Sequence, residues 1–401
     1  MKIVISHPHG NPNTSKVVSF LFKSRLLDVF WTTIAFPLKF GPFKKKYYKI
    51  NYNKIKLRIL KEAFRQFFIL FNLKKFYSIE KSIFSVNSIY KDLDFTVSKY
   101  LKKNKKKINI IYSYEDCSLN SFKIAKENNI KTIYDLTSPY WRLKKKILEE
   151  EKLFQPNWNL SSLEFTSEDK CRLKDDEIFF SDEVIVASKF TAESLKLYNK
   201  KKIIVNVIPY GVACPEKKII NTREKNTKFK ILFVGRPILS KGIQYVIKSM
   251  SFLDFNWEIE IAGSIPEKPF QISKNLDIFF KSPNVKFLGQ LNQTELFNKM
   301  QKSHVLLLPS LYEGFGLVLS EALSCGLPII TTENTGGKDF VKENNNGFIT
   351  PIRDTSKTVE ILYKLYEDEE FRKFISENSF LTARDMTWKK YEDNLEKILN
   401  K

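Results

Sequence analysis

A short acidic and glycine-containing segment late in the chain has the residue types that bind anions. It reads Glu313-Gly314-Phe315-Gly316, follows an apolar run typical of a strand, and opens a predicted helix. Glycines let backbone N–H groups approach an anion closely, and the amino end of a helix adds its positive dipole, so this turn can hold a diphosphate. Glu321, on the same helix, is placed to hydrogen-bond another part of that ligand, such as a ribose. The alternative is a tight turn followed by a surface glutamate.

Two cations follow an earlier predicted strand of the same half. Arg236 and Lys241 lie in the loop Gly235-Arg236-Pro237-Ile238-Leu239-Ser240-Lys241-Gly242. This loop leaves the carboxyl end of its strand, at the sheet edge that also carries Glu313. Fixed cations there would stabilise a phosphate, and would do so more as charge builds on a departing diphosphate. The segment lacks the Gly-Lys-Ser/Thr spacing of a Walker loop, and its alternative is a solvated surface loop.

The elements that must position these residues alternate between strand and helix, which predicts parallel sheets covered on both faces. Apolar runs predict strands at residues 2–6, 108–112, 131–135, 184–188, 203–208, 230–235, 257–263, 285–289, 305–309 and 328–332. Helices are predicted between them, the first capped by Thr14 or Ser15. The stretch 17–100 gives no secure placement.

The chain has 401 residues, which exceeds one hydrophobic core and predicts two domains. We place an N-terminal Rossmann-like domain at 1–209, a C-terminal one at 210–380, and a helix at 381–401 that packs back on the N-terminal domain. The predicted fold class is α/β, with two doubly wound domains facing across a crevice. Ligands bind such folds at the carboxyl ends of the strands.

Positive charge is concentrated in the first part of the chain. The net charge is +22; residues 1–150 hold 31 lysines and arginines against 11 acidic residues, and residues 151–401 hold 36 against 34. Two runs stand out, at 44–49 and 102–107. This asymmetry indicates an anionic partner: nucleic acid, an anionic membrane surface or a phosphate-bearing substrate. The alternative is codon bias in an AT-rich genome, although such bias should affect both halves.

Cysteine and histidine usage argues against metal and disulfide chemistry. The four cysteines are scattered and the chain has three histidines, so we expect no metal site and a reducing compartment. Met1–Ser6 is predicted to be a strand, not a signal peptide, and no apolar run is long enough to span a bilayer. These features indicate a cytoplasmic protein.

Together these motifs resemble the retaining GT-B glycosyltransferases of family 4, also called glycosyl transferases group 1. The resemblance is carried by Arg236 and Lys241 between their glycines, by the Glu313–Glu321 pair, and by Leu327-Pro328-Ile329-Ile330. Ser181–Ser188 and Ile208–Val212 also match, so it covers about residues 180–400.

The resemblance implies a hexosyltransferase-type enzyme (EC 2.4) with a nucleoside-diphosphate sugar as donor. It transfers the sugar, with retention of the anomeric configuration, to a saccharide or lipid-linked acceptor. The implied role is bacterial cell-surface polysaccharide or glycolipid synthesis. It implies no cofactor and no metal. The catalytic candidates it gives are Arg236 and Lys241, on the diphosphate, and Glu313, on the sugar hydroxyls. The implied binding residues are Gly314, Phe315 and Gly316 through their backbones, Glu321 on the ribose, Gly289 beside the base, and Gly10 in the first N-terminal loop.

Several features depart from the family pattern. Only Gly10 stands where members often have a glycine pair, and Tyr140-Trp141-Arg142 occupies the place of a usual histidine. Those aromatic residues either stack on a sugar or belong to the core. Asp92-Leu93-Asp94 imitates the metal-binding motif of the other glycosyltransferase fold, but we interpret it as a solvated helix start. The competing hypothesis is a non-enzymatic binder of nucleic acid or of an anionic membrane; no nucleic-acid motif appears, so membrane attachment is the expected role of the basic half.

Overall fold

Two parallel sheets organise the chain. The computed structural model describes residues 1–35, 48, 50–158, 167–215, 227–265 and 273–400. Within these ranges seven strands form one sheet in the order β3-β2-β1-β4-β5-β6-β7, and six form a second in the order β10-β9-β8-β11-β12-β13. In both sheets the order reverses beside the first strand of the domain, which opens a crevice at the carboxyl ends of the strands.

The N-terminal domain contains the first sheet and its covering helices. Its strands are β1 (Ile3–Ser6), β2 (Leu27–Thr32), β3 (Ile55–Leu57), β4 (Ile110–Tyr114), β5 (Lys131–Leu136), β6 (Glu183–Val186) and β7 (Ile204–Val207). Its helices are α1 (Pro12–Lys23), α2 (Leu60–Leu70), α3 (Val86–Asn104), α4 (Leu119–Glu127), α5 (Trp141–Phe154), α6 (Glu168–Phe180) and α7 (Lys189–Ser194). The inner strands are buried on both faces, as their uninterrupted apolar runs predict.

The C-terminal domain repeats this arrangement around the second sheet. Its strands are β8 (Phe229–Val234), β9 (Trp257–Ala262), β10 (Val285–Gly289), β11 (Val305–Leu308), β12 (Ile329–Thr332) and β13 (Phe348–Thr350). The helices are α8 (Ile243–Met250), α9 (Lys274–Phe280), α10 (Gln293–Lys302), α11 (Leu317–Ser324), α12 (Thr355–Glu367), α13 (Glu369–Asp385) and α14 (Trp388–Leu399). All ten predicted strands are present, whereas β2, β3 and β13 were not predicted.

Two chain segments cross side by side between the domains. Val212 N donates to the Met386 carbonyl at 2.9 Å, which pairs the outgoing linker with the returning one. After this crossing α14 packs on the N-terminal core, where Tyr391, Leu395 and Ile398 are buried. Helix α14 therefore packs on the domain that contains β1.

The first helix begins earlier than its sequence suggested. Thr14 and Ser15 were the predicted caps, but the cap is Asn11, whose side-chain oxygen accepts from Thr14 N at 2.7 Å. Pro12 occupies the first helical position, where the missing N–H costs nothing. The prediction was wrong because Asn-Pro is itself a strong start signal.

In the part of the chain that the structure describes, no helix is both long enough and apolar enough to cross a bilayer.

Helix α5 carries a buried carboxylate into the opposite domain. Glu151 accepts from Gln244 Nε2 at 2.9 Å, from the Tyr245 hydroxyl at 2.7 Å and from Arg353 Nε at 2.8 Å. Its side chain has no exposed surface, so these three donors replace all the water it loses on folding.

We expect Glu151→Ala to lower the free energy of unfolding by about 3 kcal/mol, because it leaves Arg353 without its buried partner. Glu149→Ala on the same helix is the control: its pair with Lys145 is exposed, and the expected loss is below about 0.5 kcal/mol. Urea titration of both variants measures the difference. Equal losses would show that the buried pair contributes no more than a surface pair.

Candidate functional site

Backbone hydrogen bonds bring the loops after β8 and β11 together. Leu311 N donates to the Ser240 carbonyl at 2.9 Å, which fastens the loop after β11 to the short turn containing Lys241. Glu313 N donates to the Asn334 carbonyl at 2.9 Å, and Asn334 Nδ2 returns a bond to the Leu311 carbonyl at 3.1 Å. The positions of Lys241 and Glu313 are thus set by main-chain contacts at one sheet edge.

Lys241 and Glu313 form an ion pair in this edge. The Lys241 ammonium contacts Glu313 Oε1, and both side chains are mostly shielded from solvent. Burial lowers the pKa of Lys241 to about 8, because a charged ammonium is costly away from water. The Glu313 carboxylate opposes that shift by favouring the charged form. The lysine therefore loses its charge at a lower pH than a lysine in open solvent.

A cleft of about 530 Å³ lies between the two domains at this point. This volume lies within the range of small-molecule sites. The C-terminal domain lines it with Val234, Gly235, Ser240, Lys241 and residues 312–318, and the N-terminal side with Asn11, Asn13, Thr137, Ser138, Pro139 and Tyr210. The amino end of α11 opens into the cleft, so its N–H groups and dipole join Lys241 on one wall.

Gly314 is a point of close contact between the two domains. A Cβ on this residue would lie 2.1 Å from the Thr137 carbonyl oxygen, so any side chain would push the domains apart. Its own carbonyl accepts from the Ser188 hydroxyl and, at 3.2 Å, from the Thr191 hydroxyl. Next to it, Phe315 packs edge-to-face on Tyr210 with ring centroids 5.3 Å apart.

Residues 216–381 match the family model described as glycosyl transferases group 1. The matched residues make up most of the C-terminal domain. An uncharacterized glycosyltransferase of Methanocaldococcus jannaschii is 29% identical over 220 residues, which cover 54% of this chain and 59% of that protein. The capsular polysaccharide biosynthesis glycosyltransferase CapM of Staphylococcus aureus is 32% identical over 158 residues, 38% of this chain and 40% of CapM. The chain thus spans about half the length of the curated relatives it matches.

Solved structures extend the likeness to both domains. Sucrose-phosphate synthase from Thermosynechococcus elongatus aligns with a TM-score of 0.69 at 15% identity, covering 100% of this chain and 98% of that one. Anabaena HepE in complex with UDP aligns with a TM-score of 0.65 at 15% identity, covering 100% of both chains. The fold of the chain is GT-B, as its sequence predicts.

The structure brings some of the predicted residues of the C-terminal domain into the cleft and leaves others outside it. Lys241, Glu313, Gly314, Phe315 and Gly316 all line it.

The remaining predicted residues of the C-terminal domain lie outside the cleft lining. Arg236 is exposed at the same sheet edge, where its Nε donates to Ser264 Oγ at 3.1 Å. Glu321 accepts from Gln293 Nε2 at 3.4 Å, and burial raises the pKa of its carboxyl. Gly289, at the end of β10, faces open space. Glu321 and Gly289 therefore flank the same β10–α10 loop, beside the cleft.

Gly10 also lies outside the residues that line the cleft. A Cβ there would overlap the Tyr48 hydroxyl, at 1.6 Å, and the residue has φ +55, which favours glycine. Its neighbours Asn11 and Asn13 line the cleft instead. The run 44–47 and Lys49 lie outside the described residues.

Sequence reasoning missed the polar residues that the N-terminal domain contributes. Asn11 and Asn13 follow β1, and Thr137 and Ser138 follow β5. The signal was available, since these residues come directly after predicted strands, at the edge where the rule for parallel sheets places ligands.

Two other predicted features have structural roles. Tyr140, Trp141 and Arg142 all bond to Asp175, at 2.5, 2.7 and 2.8 Å, so the aromatic pair belongs to the core. Asp94 is not at a solvated helix start: it is buried within α3 and caps α4 by accepting from Asn120 N at 2.6 Å. The hypothesis failed because the acidic side chain serves a neighbouring helix.

Among residues 1–35, 48, 50–158, 167–215, 227–265 and 273–400, no group of three or more His, Cys, Asp or Glu side chains is arranged to hold an ion.

The lowered pKa of Lys241 predicts that the affinity for a nucleoside diphosphate depends on pH. Below a pKa of about 8 the ammonium is already charged; above it, binding an anion requires proton uptake, so affinity should fall up to tenfold per pH unit. Calorimetric titration with UDP measures this. Lys241→Arg is the control. Arginine stays charged over this pH range, so the affinity of the variant for UDP should not change with pH. A UDP affinity of the parent protein that does not change with pH would show that Lys241 does not contact the diphosphate.

Proposed function

We infer that the protein transfers a sugar from a nucleoside-diphosphate sugar to an acceptor hydroxyl. The observation that carries this is the Lys241–Glu313 pair beside the amino end of α11, in a cleft lined by both domains of a GT-B fold. One wall supplies positive charge for a diphosphate, and a carboxylate beside it accepts hydrogen bonds from sugar hydroxyls. The HepE structures with UDP and with UDP-glucose support a nucleotide-sugar donor by fold alone.

In this proposal the donor extends along the C-terminal wall. Lys241 and the N–H groups at Gly314–Gly316 hold the diphosphate, and Glu313 holds the sugar. Arg236 would leave Ser264 to reach the diphosphate. Glu321, flanking the β10–α10 loop, would bond the ribose, with the base beside Gly289.

The proposed reaction retains the anomeric configuration. The bond from the anomeric carbon to the diphosphate oxygen breaks, and the acceptor oxygen bonds to the same face of that carbon. The acceptor proton passes to the departing phosphate oxygen, so no protein base is needed. The transition state is oxocarbenium-like, as in glycoside hydrolysis. The protein stabilises it by positioning both substrates and by countering the charge that develops on the diphosphate.

The acceptor lies on the N-terminal wall in this proposal, beside Asn11, Asn13, Thr137 and Ser138. The likeness to CapM supports a role in bacterial cell-surface polysaccharide or glycolipid synthesis on the cytoplasmic side of the membrane. A saccharide or lipid-linked acceptor fits that role, and the basic N-terminal half would attach to anionic lipid.

Substitutions in the donor site test the proposal. With the donor selected from UDP-, GDP- and ADP-sugars by thermal stabilisation, Lys241→Ala and Arg236→Ala should each lower kcat by about 10²–10³, because each removes a cation from a developing dianion. Glu321→Ala should raise the Kd of the nucleoside diphosphate about tenfold with little change in kcat, since a ribose contact is equal in ground and transition states.

Lys248→Ala removes the same charge from the exposed face of α8 and is the matched control. Its turnover should equal that of the parent protein. Folded Lys241→Ala and Arg236→Ala proteins with parental turnover would refute the donor site. No stabilisation by any of the three donor classes would refute the activity itself.

The proposed donor site uses cationic side chains in place of a metal, so turnover should persist in EDTA. Donor turnover measured before and after chelation, with and without added Mg²⁺, tests this. Complete loss that Mg²⁺ restores would mean that an ion neutralises the leaving diphosphate instead.

A further inference from the structure

Helix α2 presents its apolar residues to solvent. Leu60, Phe64, Phe67, Leu70 and Phe71 are each more than half exposed, and we call these five side chains the apolar face. Four of them, at 60, 64, 67 and 71, recur at the spacing of one helical stripe. On α2 itself Glu62 is the buried residue. A surface helix normally turns such a stripe toward the core, so this orientation is inverted.

The side of α2 that carries the buried Glu62 faces the rest of the domain, and next to it Lys61 Nζ donates to Ser88 Oγ of α3 at 3.0 Å. Phe68 stacks on Phe76 and contacts Phe84, with ring centroids 4.7 and 5.0 Å apart. Glu62 is held by Arg65 and Gln66, at 2.9 and 2.6 Å. The apolar face therefore points to solvent, and an exposed apolar patch of this kind marks an interaction surface.

The charge around the apolar face identifies the partner. Residues 59–86 contain five lysines and arginines and two glutamates. Both glutamates are engaged, Glu62 as above and Glu80 by Asn87 and Ser167, at 2.8 and 2.6 Å. Lys74, Lys75 and Lys81 form no salt bridge with any residue in the described ranges. Apolar side chains rimmed by uncompensated lysines match a bilayer with anionic headgroups.

We propose that the apolar face inserts into an anionic lipid surface, with Lys74, Lys75 and Lys81 contacting the headgroups. This deepens the lipid attachment under the proposed function by naming the surface that makes it. Helix α2 follows β3 at the carboxyl edge of the sheet, the edge that faces the cleft. Behind it, Tyr90 contacts the His9 ring, 5.4 Å between centroids, two residues before Asn11 in the cleft lining. Insertion would bring the acceptor side of the cleft to the membrane.

Vesicle sedimentation of the full chain tests the proposal. We expect binding to phosphatidylcholine vesicles with about 30% phosphatidylglycerol, weakened in about 0.5 M salt, and little binding to phosphatidylcholine alone. Leu70→Ser/Phe71→Ser should lower the partition coefficient at least about tenfold, since both side chains are exposed and the fold does not need them. Lys74→Glu/Lys75→Glu should lower it by a similar factor.

Matched controls separate this face from general charge and hydrophobicity. Lys102→Glu/Lys103→Glu makes the same charge change at the opposite edge of the sheet, where α3 ends, and should cost less than about threefold. Leu381→Ser removes an exposed leucine of α13 and should change nothing. As a second readout, Phe71→Trp should gain fluorescence quenching by brominated lipids relative to the parent protein.

Three results would overturn the proposal: equal binding to neutral vesicles, equal losses in the Lys102/Lys103 control, or a parental dimer that Leu70→Ser/Phe71→Ser converts to monomer without any vesicle binding. The last would assign the apolar face to a second copy of the chain. Donor turnover without vesicles should be unchanged in all variants. Its absence in the parent protein would refute the proposed function and leave the lipid result standing.

Discussion

The close approach of the Gly314 backbone to the N-terminal domain is the constraint on which the cleft depends. Its Cα side lies against the Thr137 carbonyl, and its carbonyl accepts from Ser188 and Thr191. The loops after β5, β6 and β11 therefore meet at one residue. Because this residue also precedes the amino end of α11, the same contact that joins the domains places the wall with Lys241 opposite the polar N-terminal wall.

Burial lowers the pKa of the lysine in the Lys241–Glu313 ion pair. A lysine in open solvent would hold its charge to high pH, but Lys241 has its pKa lowered to about 8. The ammonium contacts the Glu313 carboxylate, and a neighbouring anion favours the charged form of a lysine. An anion beside Lys241 and a proton on its Nζ therefore favour each other. A preorganised cation in a shielded site stabilises developing charge more strongly than one in water.

Sequence reasoning reached the C-terminal domain more fully than the N-terminal one, for physical reasons. In the C-terminal half, buried parallel strands give unbroken apolar runs and glycine turns end them, so the positions of Lys241 and Glu313 follow directly. In residues 17–100 apolar strands and polar turns cannot be told apart in this way. Strand β3 has three residues, and α2 exposes the apolar side chains that would mark a buried stripe. The bonds from Ser188 to Gly314 and from Arg353 to Glu151 join distant segments, which no local pattern records.

The topology also explains why the cleft and the exposed helix share one side of the N-terminal domain. All seven strands of its sheet run parallel, so every loop that leaves a carboxyl end emerges at the same edge. Asn11 follows β1, Thr137 follows β5 and Leu60 opens the helix after β3. The lysines at 102–107 precede β4 and emerge at the opposite edge. Net charge alone cannot distinguish Lys74, Lys75 and Lys81 from the lysines at 102–107. The topology can: the first group follows the carboxyl end of β3, on the side of the cleft, and the second precedes the amino end of β4, away from it.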